Sequence, residues 1–193
     1  MCVGSIFSNK VYGSWGVIQR EKYEKTFHEL EKLVDIRKIL SGLVLDVGAG
    51  FGYFEEFISE VYLKNRGHIK NIKIIAIDKD REMLDNCLSK NLLQANLVQA
   101  DGNALPFRDE IFNCVVCFDT AHLLNFREGF NEVMRVLKNG GYFLITEPHI
   151  EKYDFIFDEI KNYFNLGFSL IKEFVIEGRE KEHGLLFRKI GKA

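Results

Sequence analysis

Apolar and polar positions follow two rhythms along this chain. Short apolar runs at Leu43–Val47, Lys73–Ile77, Asn96–Gln99, Cys114–Phe118 and Tyr142–Thr146 read as buried strands. Between them apolar residues return every three or four positions, as on one face of a helix. Those faces carry Phe54, Phe57, Ile58 and Val61, then Met83, Leu84, Cys87 and Leu88, then Phe130, Val133, Met134 and Leu137. Strand and helix in alternation predict an α/β fold, a parallel sheet wrapped by helices. Asp80 is placed to cap the second of these helices, and Asn139-Gly140-Gly141 to close the third with residues that tolerate a left-handed turn.

The rhythm changes after Pro148. A helix from about Glu151 to Phe164 precedes two strands, Phe168–Ile176 and Leu185–Ile190. The polar stretch Glu177 to Gly184 is too short for a crossover helix, so the two strands should pair antiparallel as a hairpin at one edge. That makes a doubly wound, seven-stranded sheet, mostly parallel with an antiparallel C-terminal hairpin. Residues 1–42 form a prelude to the core at 43–193: a loop around Tyr12-Gly13-Ser14-Trp15, then a helix from about Arg20 to Leu40 with an apolar stripe of Tyr23, Phe27, Leu30 and Val34.

With 193 residues, 47% hydrophobic content and 2 Pro, one domain spanning 1–193 with a full-sized core is expected. A formal charge of −2 gives no basic field for nucleic acid or an anionic membrane, and a small-molecule partner is the default. No apolar run approaches the roughly 20 residues of a membrane span, and Met-Cys-Val-Gly-Ser-Ile-Phe lacks the features of a signal peptide, so a cytoplasmic location is expected. Of Cys2, Cys87, Cys114 and Cys117, the pair Cys114-Val-Val-Cys117 has redox or zinc spacing. In a strand, residues three apart point to opposite faces, so these thiols should diverge and pack; no metal is expected.

The chemistry concentrates in Asp46-Val47-Gly48-Ala49-Gly50-Phe51-Gly52, a strand running into a loop with glycine at every second place. Glycine there permits positive φ and lets backbone lie against a ligand, and a helix beginning near Phe51 should point free N–H groups at it. Asp78 ends the second strand, where it reads as an acceptor for two ribose hydroxyls or as a solvent-facing cap. Asp101 follows the third strand, where it could accept from a base amine or be an ordinary turn aspartate. A dinucleotide fingerprint from Gly48 would need glycine at 53, which is Tyr53, and no Gly-Lys-Ser/Thr follows as in a phosphate loop. No Lys or Arg lies in Asp46–Phe54, so a cationic or zwitterionic ligand suits the loop better than a pyrophosphate.

These residues resemble the class I S-adenosylmethionine (SAM) dependent methyltransferases, over about Leu43 to Pro148. The acid with G-x-G-x-G, Asp78, Asp101, the stretch Ala104-Leu105-Pro106-Phe107 and the stretch Glu132 to Gly141 come in the family's order. The last two are similar to the small-molecule branch that includes ubiquinone/menaquinone-biosynthesis C-methyltransferases, with departures at Asn113 and Asn139, neither of which should touch cofactor. The resemblance implies a Rossmann-like sheet, SAM as cofactor with S-adenosylhomocysteine (SAH) as product, and a small-molecule acceptor. It implies a loop of Asp46, Gly48, Ala49, Gly50 and Gly52 around the methionine moiety, with backbone of Cys117 and Phe118 nearby. Asp78 would hold the ribose hydroxyls and Asp101 would face the adenine amine, with Lys79, Met83, Gly102 and Asn103 also binding the cofactor.

For the transfer itself, His122 after the fourth strand is the leading candidate base, because imidazole as a residue type exchanges protons near neutrality, or else a structural residue. Glu147 and His149, flanking Pro148, are further catalytic candidates or solvated turn residues. Tyr12, Trp15 and Tyr23 are candidates for a lid over cofactor and acceptor. Competing readings are a non-catalytic SAM-binding protein, a nicotinamide-dependent oxidoreductase, and a nucleic-acid methyltransferase. The last lacks both a basic surface and the Asn/Asp-Pro-Pro-Tyr/Phe signature. The acceptor atom and the oligomeric state are left open.

Overall fold

The structure is a computed structural model that describes residues 15–65, 71–90, 92, 95–165 and 167–191. Helix α1 (Gly16–Glu31) and the short α2 (Ile36–Ile39) lead into β1 (Leu43–Val47) and α3 (Tyr53–Phe57), which widens into a π-helical segment, Ile58–Asn65. Next come β2 (Lys73–Asp78), α4 (Arg81–Ser89), β3 (Ala95–Gln99), β4 (Phe112–Phe118), a 3-10 turn at Ala121–Leu123, and α5 (Phe126–Val136). The chain ends with β5 (Leu137–Pro148), α6 (Glu151–Phe164), β6 (Phe168–Ile176) and β7 (Glu182–Lys189).

The seven strands lie in the order β3-β2-β1-β4-β5-β7-β6. Strands β1 to β5 are parallel, and β7 runs antiparallel to both β5 and β6, which is the expected edge hairpin. Strand order reverses beside β1, and in open α/β sheets ligands bind in the crevice at such a point.

Period-two alternation divides the core. Along β4, Cys114, Val116 and Phe118 join the face covered by α1 and α3, whereas Val115 and Cys117 join the face covered by α5 and α6. The two thiols therefore do diverge, each fully buried, and burial pushes both far above the usual thiol range. Tyr23, Phe27 and Leu30 of α1 are buried against Phe54 and Phe57. At about 1.5–3 kcal/mol for each large apolar side chain, α1 is part of the core.

Local chemistry moves several boundaries. The expected helix from Arg20 to Leu40 is two helices, because Asp35 turns extended and caps α2, accepting from the Arg37 N–H at 3.1 Å. Asp80 caps α4 as expected, accepting from the Glu82 N–H at 2.8 Å. Leu88, expected on the buried face of that helix, is 56% exposed. Asn139-Gly140-Gly141 does not cap α5: the helix ends at Val136, Leu137 is already extended, and the glycines form a bulge early in β5 with Gly140 at φ 77°. Asn113 accepts from the Leu43 N–H and from Lys138 Nζ, both at 3.1 Å, so it organises the amino ends of the strands, remote from the crevice.

Candidate functional site

The ends of four strands, β1 to β4, enclose a cleft of about 320 Å³ at the carboxyl edge of the sheet. The glycine loop after β1 forms one wall. Gly48, Gly50 and Gly52 all have positive φ, at 80°, 55° and 71°. A Cβ on Gly48 would lie 2.3 Å from Thr120, so only glycine lets the loop approach the end of β4. The N–H groups of Gly48 and Ala49 both donate to Ile77 O at 2.9 Å, Gly52 donates to Ala49 O, and Gly50 donates to Asp78 Oδ2 at 2.9 Å. These four loop amides are spent inside the protein, and α3 starts only at Tyr53, with Gly52 as its cap. The helix expected to begin near Phe51 thus starts two residues later, and the four bonded loop amides form no anion nest for pyrophosphate.

Asp78 fixes that loop. One oxygen accepts from Gly50 and the other from the Asp80 N–H at 2.9 Å, which leaves each oxygen a further lone pair. Burial raises the Asp78 pKa, opposed by the two N–H donors. Across the cleft, Asp101 accepts from the Asn103 N–H at 2.9 Å and from Lys79 Nζ at 2.9 Å, and these bonds hold its pKa low. Lys79, Met83, Gly102 and Asn103 line the cleft, together with Gly48, Gly50, Asp78 and Asp101. Lining residues that the sequence did not single out include Asp80, Asp119, Thr120, Leu123 and Leu124. Four acids against one lysine give the cleft a negative field.

Several expected contacts lie elsewhere. Asp46 is under the loop, 2% exposed, against the equally buried Glu55. Burial raises both carboxyls, Glu55 to about 6, and the neighbouring Glu55 charge raises Asp46 further. Ala49 is turned away from the cleft, and Gly52 lets α3 approach α4, since a Cβ there would meet Cys87 Sγ at 2.3 Å. Cys117 and Phe118, expected near the ligand only through backbone, send their side chains into the two core faces, and the Phe118 carbonyl accepts from the Thr120 hydroxyl at 2.9 Å. Tyr23 is not a lid residue: its ring is 6% exposed and packs edge-on to Phe118 at 5.0 Å. Trp15 opens α1 and does not line the cleft; Tyr12 and Cys2 lie outside the described residues.

Past β4 the chain turns through Asp119, a non-glycine residue at φ 53°. Its carboxylate accepts from Gln19 Nε2 at 2.9 Å and from Lys22 Nζ at 2.8 Å, tying α1 to the cleft wall. Lys22 is 7% exposed and also lies 2.8 Å from Glu180 and 2.7 Å from Glu182. Burial alone would lower the Lys22 pKa, but Asp119 and Glu182 outweigh it and the net shift is upward. Glu182, fully buried, is pushed up to about 9 by desolvation first and then by Asp119.

His122 follows on the 3-10 turn. Its backbone N–H donates to Glu147 Oε1 at 3.1 Å, and its Nδ1 lies 2.7 Å from Oε2. Glu147 is 0% exposed, so it orients His122 and does not face the cleft itself. The His122 ring stacks on Tyr153 of α6, centroids 4.7 Å apart. His149 is held elsewhere, its N–H on Lys181 O at 2.7 Å and its ring 5.5 Å from His183.

Comparison with known proteins agrees with this geometry. A family profile described as "Methyltransferase domain" matches residues 45–145. An uncharacterised methyltransferase of Bacillus subtilis is 30% identical over 131 residues, 63% of this chain and 46% of the relative. A ubiquinone/menaquinone biosynthesis C-methyltransferase of Pseudomonas paraeruginosa is 30% identical over 120 residues, 59% of this chain and 45% of the relative. The chain thus spans about half the length of the curated relatives it matches. In fold, a crystal structure of a SAM-dependent methyltransferase from Aquifex aeolicus superposes with a TM-score of 0.62 at 20% identity, covering 84% of this chain and 98% of that one.

Proposed function

This chain belongs to the SAM-dependent methyltransferase family, and from that premise we propose that it binds SAM in the cleft and transfers the methyl group to a small-molecule acceptor by in-line displacement. The observation that carries this reading is Asp78, a cleft-lining carboxylate whose two oxygens are fixed by Gly50 and Asp80 and retain acceptor capacity, as a ribose diol requires. The donor set fits the cofactor. An acid-lined cleft suits a ligand with a sulfonium and an ammonium, and a loop whose amides are already spent does not suit a nicotinamide dinucleotide. Asp101 retains acceptor capacity beyond its bonds to Asn103 and Lys79, enough for an adenine amine.

When bound, SAM supplies an electrophilic methyl whose bonding pair departs onto sulfur, so the leaving group asks for no acid from the protein. The protein's task is alignment, for which roughly 7–11 kcal/mol is available in well-oriented systems. The glycine loop and Asp78 hold one reactant, and the turn after β4 borders the space for the other. The C-methyltransferase relative supports a small organic acceptor, as does the net charge of −2.

Thermal unfolding in the presence of SAH, methylthioadenosine or NADH tests the assignment. SAH at a hundred times its dissociation constant should stabilise the fold by about 2.7 kcal/mol. NADH should do nothing; stabilisation by NADH alone would return the oxidoreductase reading.

A further inference from the structure

Behind one wall of the cleft the structure gathers three carboxylates around a single ammonium. Lys22 of α1 lies 2.8 Å from Asp119, 2.8 Å from Glu180 and 2.7 Å from Glu182, and Glu182 is fully buried. One positive charge leaves two negative ones unbalanced in a site closed to water, so the cluster is built to retain a proton. Glu182 is the member that holds it. Asp119 Oδ1 and Glu182 Oε2 are buried without a hydrogen-bond partner among the described residues, and the two acids are near enough for a protonated Glu182 to donate to Asp119. Around Glu182 stand Lys22 from α1, with Gln19 beside it on Asp119, then Asp119 from the turn after β4 and Glu180 from the hairpin turn. Its register partners on the flanking strands, Pro148 of β5 and Ile176 of β6, are uncharged.

Asp119 belongs to both places, since it is bonded inside this cluster and also lines the cleft beside Gly48 and Thr120. On the methyl-transfer reading, on which this inference rests, Asp78 and Asp101 take the sugar and the base, which leaves the charged end of SAM to the side of Gly48 and Asp119. SAM carries a sulfonium that SAH lacks. We propose that Asp119 discriminates SAM from SAH by charge, and that the cluster behind it answers the sulfonium by giving up the proton on Glu182. In that exchange the Glu182 O–H bond breaks, its electron pair stays on the carboxylate, and the proton leaves to solvent past Glu180, the 31% exposed member. The cluster thus gains one negative charge as one positive charge arrives. Once the methyl group has gone the sulfonium is gone too, Glu182 takes a proton back, and the wall holds SAH less firmly than SAM.

Calorimetric titration with SAM and with SAH, in two buffers of unlike ionisation heat, counts the proton without turnover. Burial and Asp119 push the Glu182 pKa up to about 9, so the count is made near that value, at about pH 8.5. Wild-type protein should release more of a proton with SAM than with SAH, about half a proton if the sulfonium makes Glu182 a tenfold stronger acid. The ratio of SAM to SAH affinity should accordingly rise several-fold from about pH 7 to about pH 9.5. In Glu182→Gln, whose amide can still donate to Asp119, the extra release and the rise should both vanish. The amino group of the ligands titrates in this range against either protein, so the difference between the two proteins belongs to Glu182. Asp119→Asn leaves Glu182 in place and should weaken SAM several-fold more than SAH. Equal proton release in wild type and Glu182→Gln, or equal weakening of SAM and SAH in Asp119→Asn, overturns the proposal. No heat of binding with either ligand in wild-type protein sinks the cofactor assignment and this inference with it, an outcome distinct from binding without the extra release.

Discussion

The carboxyl edge of the sheet is built in two ways. On the β1–β3 side, the groups that shape the cleft are close in sequence or on adjacent strands: Gly50 with Asp78, Asp78 with Asp80, Asp101 with Asn103. On the β4–β7 side, the groups are gathered from across the chain. Gln19 and Lys22 reach Asp119, Lys22 reaches Glu180 and Glu182, and His122 reaches Glu147. The first side is a frame for one ligand type, made from backbone geometry. The second is a set of charged and hydrogen-bonded contacts that joins α1, the turn after β4 and the hairpin. In this chain the proposed cofactor frame is local, and the region beside it is assembled by tertiary structure.

Removing the lysine should break the second side most severely. Lys22→Met leaves Asp119, Glu180 and Glu182 clustered without their cation, and an uncompensated buried charge costs about 3–5 kcal/mol. Urea unfolding should show that loss; a variant within 1 kcal/mol of wild type, on that same estimate, would make the cluster incidental. On the first side, Gly48→Ala combines a left-handed backbone with a Cβ that meets Thr120 at 2.3 Å, for an expected loss of about 2–3 kcal/mol. An unchanged unfolding midpoint would show that the loop relaxes freely.

The Asp46–Glu55 pair sharpens the comparison, because it is a buried acidic pair under the loop, where Lys22 serves the acids on the other side. Its burial raises Glu55 from an ordinary 4.5 to about 6. Between those values the folded chain binds more protons than the unfolded one, so stability falls as pH rises through the window, by about 2 kcal/mol. Glu55→Gln should flatten that slope in unfolding measured from pH 4 to 7, and a slope unaltered by the substitution would mean that Glu55 ionises normally. The smallest effect is expected outside both regions. Arg81 and Asp85 form an exposed pair one turn apart on α4, and Arg81→Ala should change stability by no more than about 0.5 kcal/mol.

What could be read from the sequence follows the same division. The strand–glycine–helix run, the acids ending β2 and following β3, and the hairpin too short for a crossover are local patterns, and the sheet and one wall of the cleft follow from them. The bonding of the Gly48 and Ala49 amides carries no local signal, because their acceptor, Ile77 O, lies on the neighbouring strand. Tyr23 was assigned to a lid although its place in the apolar stripe of α1 already matched Phe27 and Leu30 in the core. Asp119 and Lys22 carried no motif, since their meaning depends on contacts 97 residues apart. His122 and Glu147 were each visible as candidates, but nothing in the sequence showed that one holds the other.

Calorimetric titration of SAH into wild-type protein and Asp78→Ala tests the central claim most directly. The account predicts one site per chain in the wild type and an affinity ten- to a hundredfold weaker in the variant, the usual worth of about 1.5–3 kcal/mol for hydrogen bonds to a charged group. Equal affinity in the two proteins, or no heat of binding in either, would contradict it.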